Sequence, residues 1–319
     1  MSQAVLPLQS LVDIAIQAAR EAGECIRSTD RSILQRQFKE AGSSAASQLV
    51  TEVDLRSEAL IREALQATCE HWDIAFVGEE SSQNVPDVVY DVVPERLLKP
   101  YHWCVDPLDG TLPFMEGSPG YTVSIALVEQ SGVPLIGVVY DPVESTLTHA
   151  ISGQGAYRDG VPFTAAGLAS TSLMVFADAS FRSDENYAEI FAILNACSEE
   201  LGLHGVEVLY GSGAVKNACQ VLDHPAACYL KLPKHEEGGG SIWDFAATAC
   251  ITSESGGWVS DIHGHPLELN CRGSTFMNHK GVVYASKERI ARYLIDCLAR
   301  LTHMQASSRS LEGSSRAWD

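Results

Sequence analysis

The sequence predicts an α/β protein in two parts: an N-terminal α+β half over residues 1–165, a C-terminal α/β half over 166–304, and a tail over 305–319 without fixed structure. Three observations carry that expectation. Amphipathic helical stretches open the chain, and short apolar runs that stop abruptly at acids and glycines follow them. Beyond about Ala165, long helical stretches alternate with short strands. With 319 residues, 45% hydrophobic and 20% charged, the chain is ordinary globular material, long enough for one large core or two smaller ones.

Between Leu8 and Ile26 the apolar residues Leu8, Leu11, Val12, Ala15, Ala18, Ala19, Ala22 and Ile26 recur at helical spacing, with Asp13, Gln17 and Glu21 opposite. Leu55 to Cys69 repeats the pattern behind the capping sequence Thr51-Glu52-Val53-Asp54, so two helices are expected ahead of the first strand. Ile74–Val77 and Tyr101–Val105 read as strands that deliver Gly78-Glu79-Glu80 and Asp106-Pro107 to a sheet edge, with Ser81 to Pro100 as a long surface loop between them. Tyr121–Glu129 and Leu135–Tyr140 make an antiparallel hairpin, and more strand follows near Thr146 to Tyr157. Helices are expected over Tyr187–Leu203, Gly213–Leu222, Trp243–Glu254 and Lys287–His303, with a strand at Cys228–Leu232. The tail from Gln305 is Ser-rich and nearly without apolar residues.

Charge narrows the function. The 41 acidic against 22 basic side chains leave a formal charge of −19, which excludes a general binder of nucleic-acid backbone, because such proteins need clustered Lys and Arg to displace counterions. An anionic substrate would need local help, for instance from a metal. Nine cysteines, none in a Cys-x-x-Cys pair, suggest neither a disulfide framework nor a zinc knuckle. The first residues lack a basic region before an unbroken apolar stretch, and every apolar run falls short of the roughly 20 residues that span a bilayer. A cytoplasmic protein without membrane attachment is expected.

The most informative segment is Asp106-Pro107-Leu108-Asp109-Gly110-Thr111, two carboxylates three residues apart on a turn that a strand feeds. The turn aims both acids at one point and leaves the Gly110 and Thr111 N–H groups for a tetrahedral anion. A simple Pro-Asp-Gly turn uses the same residue types, but at about one in twenty per position, five fixed residues recur by chance roughly once in ten thousand such chains. Glu79 also reads as a solvated loop acid, and Asp54 and Asp244 as the third residues of helix capping boxes. Together Asp54, Glu79, Asp106, Asp109 and Asp244 supply five carboxylates at strand ends or helix starts, whose crowding without counter-charge would cost several kcal/mol. All-oxygen donors select Mg²⁺, Mn²⁺ or Ca²⁺ over zinc.

With these residues in order, the chain resembles the lithium-sensitive, Mg²⁺-dependent phosphatases of the inositol monophosphatase superfamily. The resemblance rests on Leu49 to Asp54, Gly78-Glu79-Glu80, Asp106 to Thr111, and Trp243-Asp244-Phe245-Ala246-Ala247 followed by Glu254 to Gly257. It implies a layered αβαβα sandwich of the sugar-phosphatase type and in-line attack of metal-activated water on a phosphate monoester. By this similarity Glu79, Asp106 and the Leu108 carbonyl hold one Mg²⁺, while Asp106, Asp109 and Asp244 hold a second. A weaker third ion leans on Glu79. Thr111, bonded to Asp54, orients the water, and the Gly110 and Thr111 N–H groups receive phosphate oxygens.

Within the superfamily, several segments look like the 3'(2'),5'-bisphosphate nucleotidase branch. Gly211-Ser212-Gly213-Ala214-Val215-Lys216 resembles that branch's segment beside the nucleoside, which makes Ser212, Gly213 and Lys216 substrate residues. In Tyr229 to Pro233, Lys231 stands where it could meet a second phosphate, and Asp261-Ile262-His263-Gly264 with Met277-Asn278 is nucleotidase-like as well. The resemblance thus implies hydrolysis of the 3'-phosphate of adenosine 3',5'-bisphosphate, with inositol monophosphatase or another small sugar-phosphate phosphatase as the alternative. Leu112-Pro113-Phe114 follows neither branch. A non-catalytic metabolite sensor is the rival from another class, against which the intact Thr111–Asp54 pair speaks. A Ca²⁺-binding module would need EF-hand spacing that is absent. Lithium inhibition is expected, the partner is a small phosphorylated metabolite, and both monomer and homodimer stay open. Gly238-Gly239-Gly240 reads equally as a lid or a linker, and His263 and His265 are given no ligand role.

Overall fold

The computed structural model describes residues 6–34, 37–38, 49–82, 93–165 and 170–300. Helix α1 (Leu8–Ser28) buries Leu11, Val12, Ala15, Ala18, Ala19, Ala22 and Ile26 along one stripe, at the three- and four-residue spacing its sequence showed. Two short antiparallel strands follow, β1 (Gln37–Phe38) and β2 (Leu49–Val50). They correct the expectation that two helices precede the first strand, since two-residue strands are too short to leave an alternating pattern. Helix α2 (Glu52–Trp72) starts at the reciprocal capping box formed by Thr51 and Asp54.

A seven-stranded sheet comes next in chain order: β3 (Ile74–Gly78), β4 (Tyr101–Asp109), β5 (Thr122–Glu129), β6 (Pro134–Asp141), β7 (Thr146–Ile151), β8 (Gly155–Arg158) and β9 (Val161–Phe163). Only β3 and β4 pair in parallel. Short helices α3 (Glu79–Ser82) and α4 (Thr111–Glu116) leave the ends of those two strands. Of the expected long loop, residues 83–92 lie outside the described residues, and Glu95–Leu97 forms one 3-10 turn.

A five-stranded sheet, in the order β11-β10-β12-β14-β13, is built from β10 (Leu173–Ala177), β11 (Val206–Tyr210), β12 (Ala227–Lys231), β13 (Trp258–Ser260) and β14 (Val282–Ala285). Helices α5 (Tyr187–Glu200), α6 (Ala214–Val221), α7 (Ile242–Glu254) and α8 (288–300) accompany it. The expected tail over 305–319 and the end of the last expected helix lie outside the described residues.

Three apolar clusters order these elements into an αβαβα stack. One joins α1 and α2 to a face of the seven-stranded sheet. A second places α6 and α7 between the two sheets, and the third packs α5 and α8 on the outer face of the five-stranded sheet. Strand β4 is therefore covered on both faces and is buried at every position after Tyr101. Trp103 on it is fully buried, its indole N–H bonded to Thr68 Oγ1 at 2.9 Å, which ties the strand to α2. All nine cysteines are free, and no described helix is long and apolar enough to cross a membrane.

Candidate active site

Strand β4 continues through the acidic segment and ends at Asp109, which corrects the expected turn after Val105. The cause lies in the pairing with β5. Asp106 faces Ser124 and Asp109 faces Thr122, so three steps on β4 match two on β5 and a bulge takes up the extra residue. Residues three apart on a regular strand point to opposite faces. The extra residue brings both carboxylates to one side. Gly110 then reverses the chain at φ 86°, a conformation L side chains resist, and a Cβ there would lie 2.6 Å from the Gly120 carbonyl oxygen. Thr111 opens α4 directly behind it.

Asp109 reaches across to the second sheet's helix layer. Its Oδ1 accepts the Ala214 N–H at 2.8 Å, and its Oδ2 accepts those of Val215 and Lys216 at 3.0 and 3.3 Å, so it caps α6 and complements that helix's dipole. A Cβ at Gly213 would overlap this carboxylate. Asp244 sits in the first turn of α7, where its Oδ2 accepts the Ser241 N–H at 2.6 Å. The capping readings of Asp54 and Asp244 are thus correct, and Asp244 also faces Asp106 and Asp109. Carboxylate oxygens of Asp106, Asp109 and Asp244 lie within 4.8 Å of one another.

The surroundings do not fully offset the charges of Asp109 and Asp244. Burial pushes the Asp109 carboxyl well above its ordinary range, and the Asp244 charge pushes it further against the helix N–H groups. Burial likewise raises Asp244 to about 6; Lys231 opposes the shift and Glu79 reinforces it. Without a further cation Asp109 and Asp244 are therefore both pushed toward the protonated form. Three clustered oxygen donors of this kind fit a hard divalent cation such as Mg²⁺.

Beside the trio, the Thr111 hydroxyl donates to Asp54 Oδ1 at 3.0 Å, with the Leu108 carbonyl oxygen 3.3 Å away. Asp54 is fully buried, and its Oδ2 is held by the Thr51 N–H and hydroxyl at 2.8 and 2.5 Å. Glu79 heads α3, half-buried, outside the trio but close enough for its charge to raise Asp244. Glu58, unnoticed in the sequence, anchors this corner by accepting the Glu80 N–H at 2.8 Å.

The expected substrate residues fare differently. Lys216 is ion-paired with Asp141 at 2.5 Å, and Lys231 with Asp178 at 2.9 Å, so neither lysine stands ready for an anion as the sequence suggested. Burial works against the Lys231 ammonium, yet Asp178 and Asp244 hold its pKa above the usual lysine value. Ser212 faces Gln220 at 3.4 Å and, with Gly120, Asp141, Phe176, Tyr210 and Lys216, lines a cavity of about 340 Å³. Asp178 also accepts from Asn217 and the Tyr229 hydroxyl, both at 3.2 Å. It follows β10 as Glu79 follows β3, and the same strand-end signal would have found it had β10 been read. Gly238–Gly240 has positive φ throughout and is pinned by the Met277 N–H on the Gly240 carbonyl at 2.9 Å, a fixed approach to Asp244. His263 and His265 belong to a turn whose N–H groups Asp261 accepts at 2.8 and 2.9 Å.

Comparison with known proteins agrees with this geometry. The model of the inositol monophosphatase family matches residues 7–302. The chain is 34% identical to the inositol-1-monophosphatase of Synechocystis over 268 residues, covering 82% of this chain and 83% of that protein. It is 29% identical to inositol monophosphatase 1 of Sus scrofa over 290 residues, with 90% and 94% covered. The solved inositol monophosphatase of Anabaena superposes with a TM-score of 0.64 at 24% identity, over 92% of this chain and 97% of that one. The chain therefore belongs to the inositol monophosphatase family of metal-dependent phosphoric monoester hydrolases.

Proposed function

We propose that the protein hydrolyses the monophosphate ester of a neutral polyol, of the inositol 1-phosphate class. The observation that carries this reading is the contrast in charge around the site: Asp109 and Asp244 remain under-neutralised, while Lys216 and Lys231 are each paired with a carboxylate. A substrate with one phosphate on an uncharged alcohol asks for cations at the acids and for nothing from the lysines. Glu79, Asp106 and the Leu108 carbonyl would hold one Mg²⁺, and Asp106, Asp109 and Asp244 a second, with Glu79 the place for a weaker third. Bound there, Mg²⁺ supplies neutralisation of the phosphate charge and a more acidic water. Li⁺ inhibition is the expected signature.

The chain's own residues do the positioning. Asp54, locked by Thr51, accepts the hydrogen bond of the Thr111 hydroxyl and so leaves the Thr111 oxygen lone pairs to accept a hydrogen bond from an attacking water and orient it. Gly110 and Thr111 N–H groups would meet phosphate oxygens. Ser212 and Gly213 would border the leaving alcohol. We further place the protein in the reducing cytoplasm, which its nine free cysteines favour.

A second reading keeps the nucleotide bisphosphate expected from the sequence. It is favoured by the position of Lys231, whose ammonium feels Asp244 and Asp109 from its pairing with Asp178; a second phosphate could take the place of Asp178 there. Phosphate release with and without Mg²⁺ from inositol 1-phosphate and adenosine 3',5'-bisphosphate, measured in parallel, separates the two. We expect Mg²⁺-dependent release, faster on inositol 1-phosphate. Preference for the bisphosphate would install the second reading, and silence on both with Mg²⁺ present would leave the metabolite sensor.

A further inference from the structure

Outside the acidic site, a second set of donors converges on the excursion between β13 and β14. The ligand atoms of Glu268, Cys271 and His279 all lie within 4.8 Å of one another. His279 Nε2 is 3.3 Å from Glu268 Oε2, while the Lys280 ammonium takes the other carboxylate oxygen, Oε1. Glu268 and His279 are exposed and Cys271 is half-buried, so a cation could reach all three from solvent.

The backbone that carries these donors is fixed on both sides. Leu267 and Leu269 are buried at 8% and 1% exposure in the layer between the sheets. Asn270 donates to the Arg96 and Gln130 carbonyl oxygens at 3.0 and 2.9 Å, and the Arg96 guanidinium returns bonds to Asn270 Oδ1 and the Cys271 carbonyl, both at 2.8 Å. At the far end, Asn278 exchanges bonds with Lys234, N–H to carbonyl at 2.7 Å and side-chain amide to carbonyl at 3.2 Å. Little ordering is left for a ligand to impose.

We propose that Glu268, Cys271 and His279 form a binding site for a borderline divalent cation of the zinc class, separate from the all-oxygen acidic site. The donor chemistry sorts the two: one thiolate, one imidazole and one carboxylate suit Zn²⁺ and are poor ligands for Mg²⁺, which prefers oxygen alone. Three protein donors leave the fourth tetrahedral position to water. Binding takes the thiol and imidazole in their deprotonated forms and releases the thiol proton to solvent. Lys280 orients Glu268 as an outer partner, at some cost in affinity from its own charge. The cation would clasp Glu268 and Cys271 to His279, closing the stretch between them. That stretch bonds the segment leading into Asp244, through the Ile242 N–H on the Thr275 carbonyl and the Met277 N–H on the Gly240 carbonyl, both at 2.9 Å. The site is thus a brace for that approach.

Co²⁺ titration of the whole protein in excess Mg²⁺ tests this, because only a sulfur ligand gives a thiolate-to-cobalt charge-transfer absorption in the near ultraviolet. We expect that absorption to saturate at one equivalent, to vanish on addition of one equivalent of Zn²⁺ and to be missing in Cys271→Ser. In His279→Ala the apparent affinity should fall about tenfold or more. Circular dichroism and a thermal melt without added Co²⁺ or Zn²⁺ establish that both variants fold. No absorption in the unaltered protein, or absorption that survives Cys271→Ser, overturns the proposal, and neither result depends on the phosphatase reading.

Discussion

Two groups of carboxylates stand at the edges of the sheets, and burial has been answered differently in each. Around Asp106, the acids gather from β4 and α7, and what surrounds Asp109 and Asp244 leaves both pushed toward protonation. Around α6, Asp178 meets Lys231 at 2.9 Å and Asp141 meets Lys216 at 2.5 Å, so the second group closes its own charges. A buried acid that the fold has paired is scaffold, whereas one left short of positive charge is an opening for a cation from outside. The same residue type thus carries two functions, and the partner decides which.

The largest test is aimed at the under-neutralised group. Asp106→Asn keeps the shape and removes a charge that either cation would need; Mg²⁺-dependent phosphate release should fall about thousandfold or more. Near-normal turnover would mean that this group is structural like the other one. Thr111→Ala should lower kcat about a hundredfold with little change in KM, because the hydroxyl acts on the attacking water rather than on the bound ester. An increase confined to KM would move Thr111 from orienting water to binding substrate.

The paired group predicts loss of stability in place of lost chemistry. Asp178→Asn strands the Lys231 ammonium. Breaking a fully buried pair costs about 3–5 kcal/mol; here Asp244 still faces Lys231, and about 2 kcal/mol by chemical denaturation is expected. Unchanged stability with altered substrate preference would instead favour the nucleotide reading.

His102, four residues before Asp106 on β4, shows a third answer to burial, which is to shed charge. It is fully buried, and neither ring nitrogen has a hydrogen-bond partner among the described residues. Burial, aided by the Arg96 charge, lowers its pKa from 6.5 to about 3. Above pH 6.5 folded and unfolded chains are both neutral here. As the pH falls from there toward 3, only the unfolded chain takes up the proton, and stability drops by up to about 1.4 kcal/mol per pH unit. His102→Leu should therefore remove about 1 kcal/mol of the stability difference between pH 7.5 and 5.5. An unchanged difference would show the ring to be charged or solvated in the native state.

What the sequence disclosed follows from range. The stripe of α1, the Thr51 and Ser241 capping boxes and the acids from Asp106 to Asp109 are written within a few residues of one another, and helix and turn chemistry is local. The bulge that turns Asp106 and Asp109 to one side depends on β5, and no window on β4 contains it. The pairing of the lysines is hidden for the same reason. Lys216 and Lys231 look available in sequence because Asp141 and Asp178 belong to distant strands, and an ion pair between separate elements has no spacing to read.

Lys216 also gives the smallest and sharpest test of the comparison. Its partner Asp141 does not depend on it: Asp141 Oδ1 accepts the Val143 and Glu144 N–H groups at 2.8 and 2.9 Å and would stay bonded without the lysine. Lys216 is itself 22% exposed, so solvent screens part of the pair. Its backbone N–H, which caps onto Asp109, is untouched by a side-chain change. Lys216→Met should then cost less than about 1 kcal/mol of stability and leave turnover of inositol 1-phosphate within about twofold. A selective loss of about tenfold or more on adenosine 3',5'-bisphosphate would show that the pair opens to receive a second phosphate, and that the two groups of acids divide less cleanly than their partners suggest.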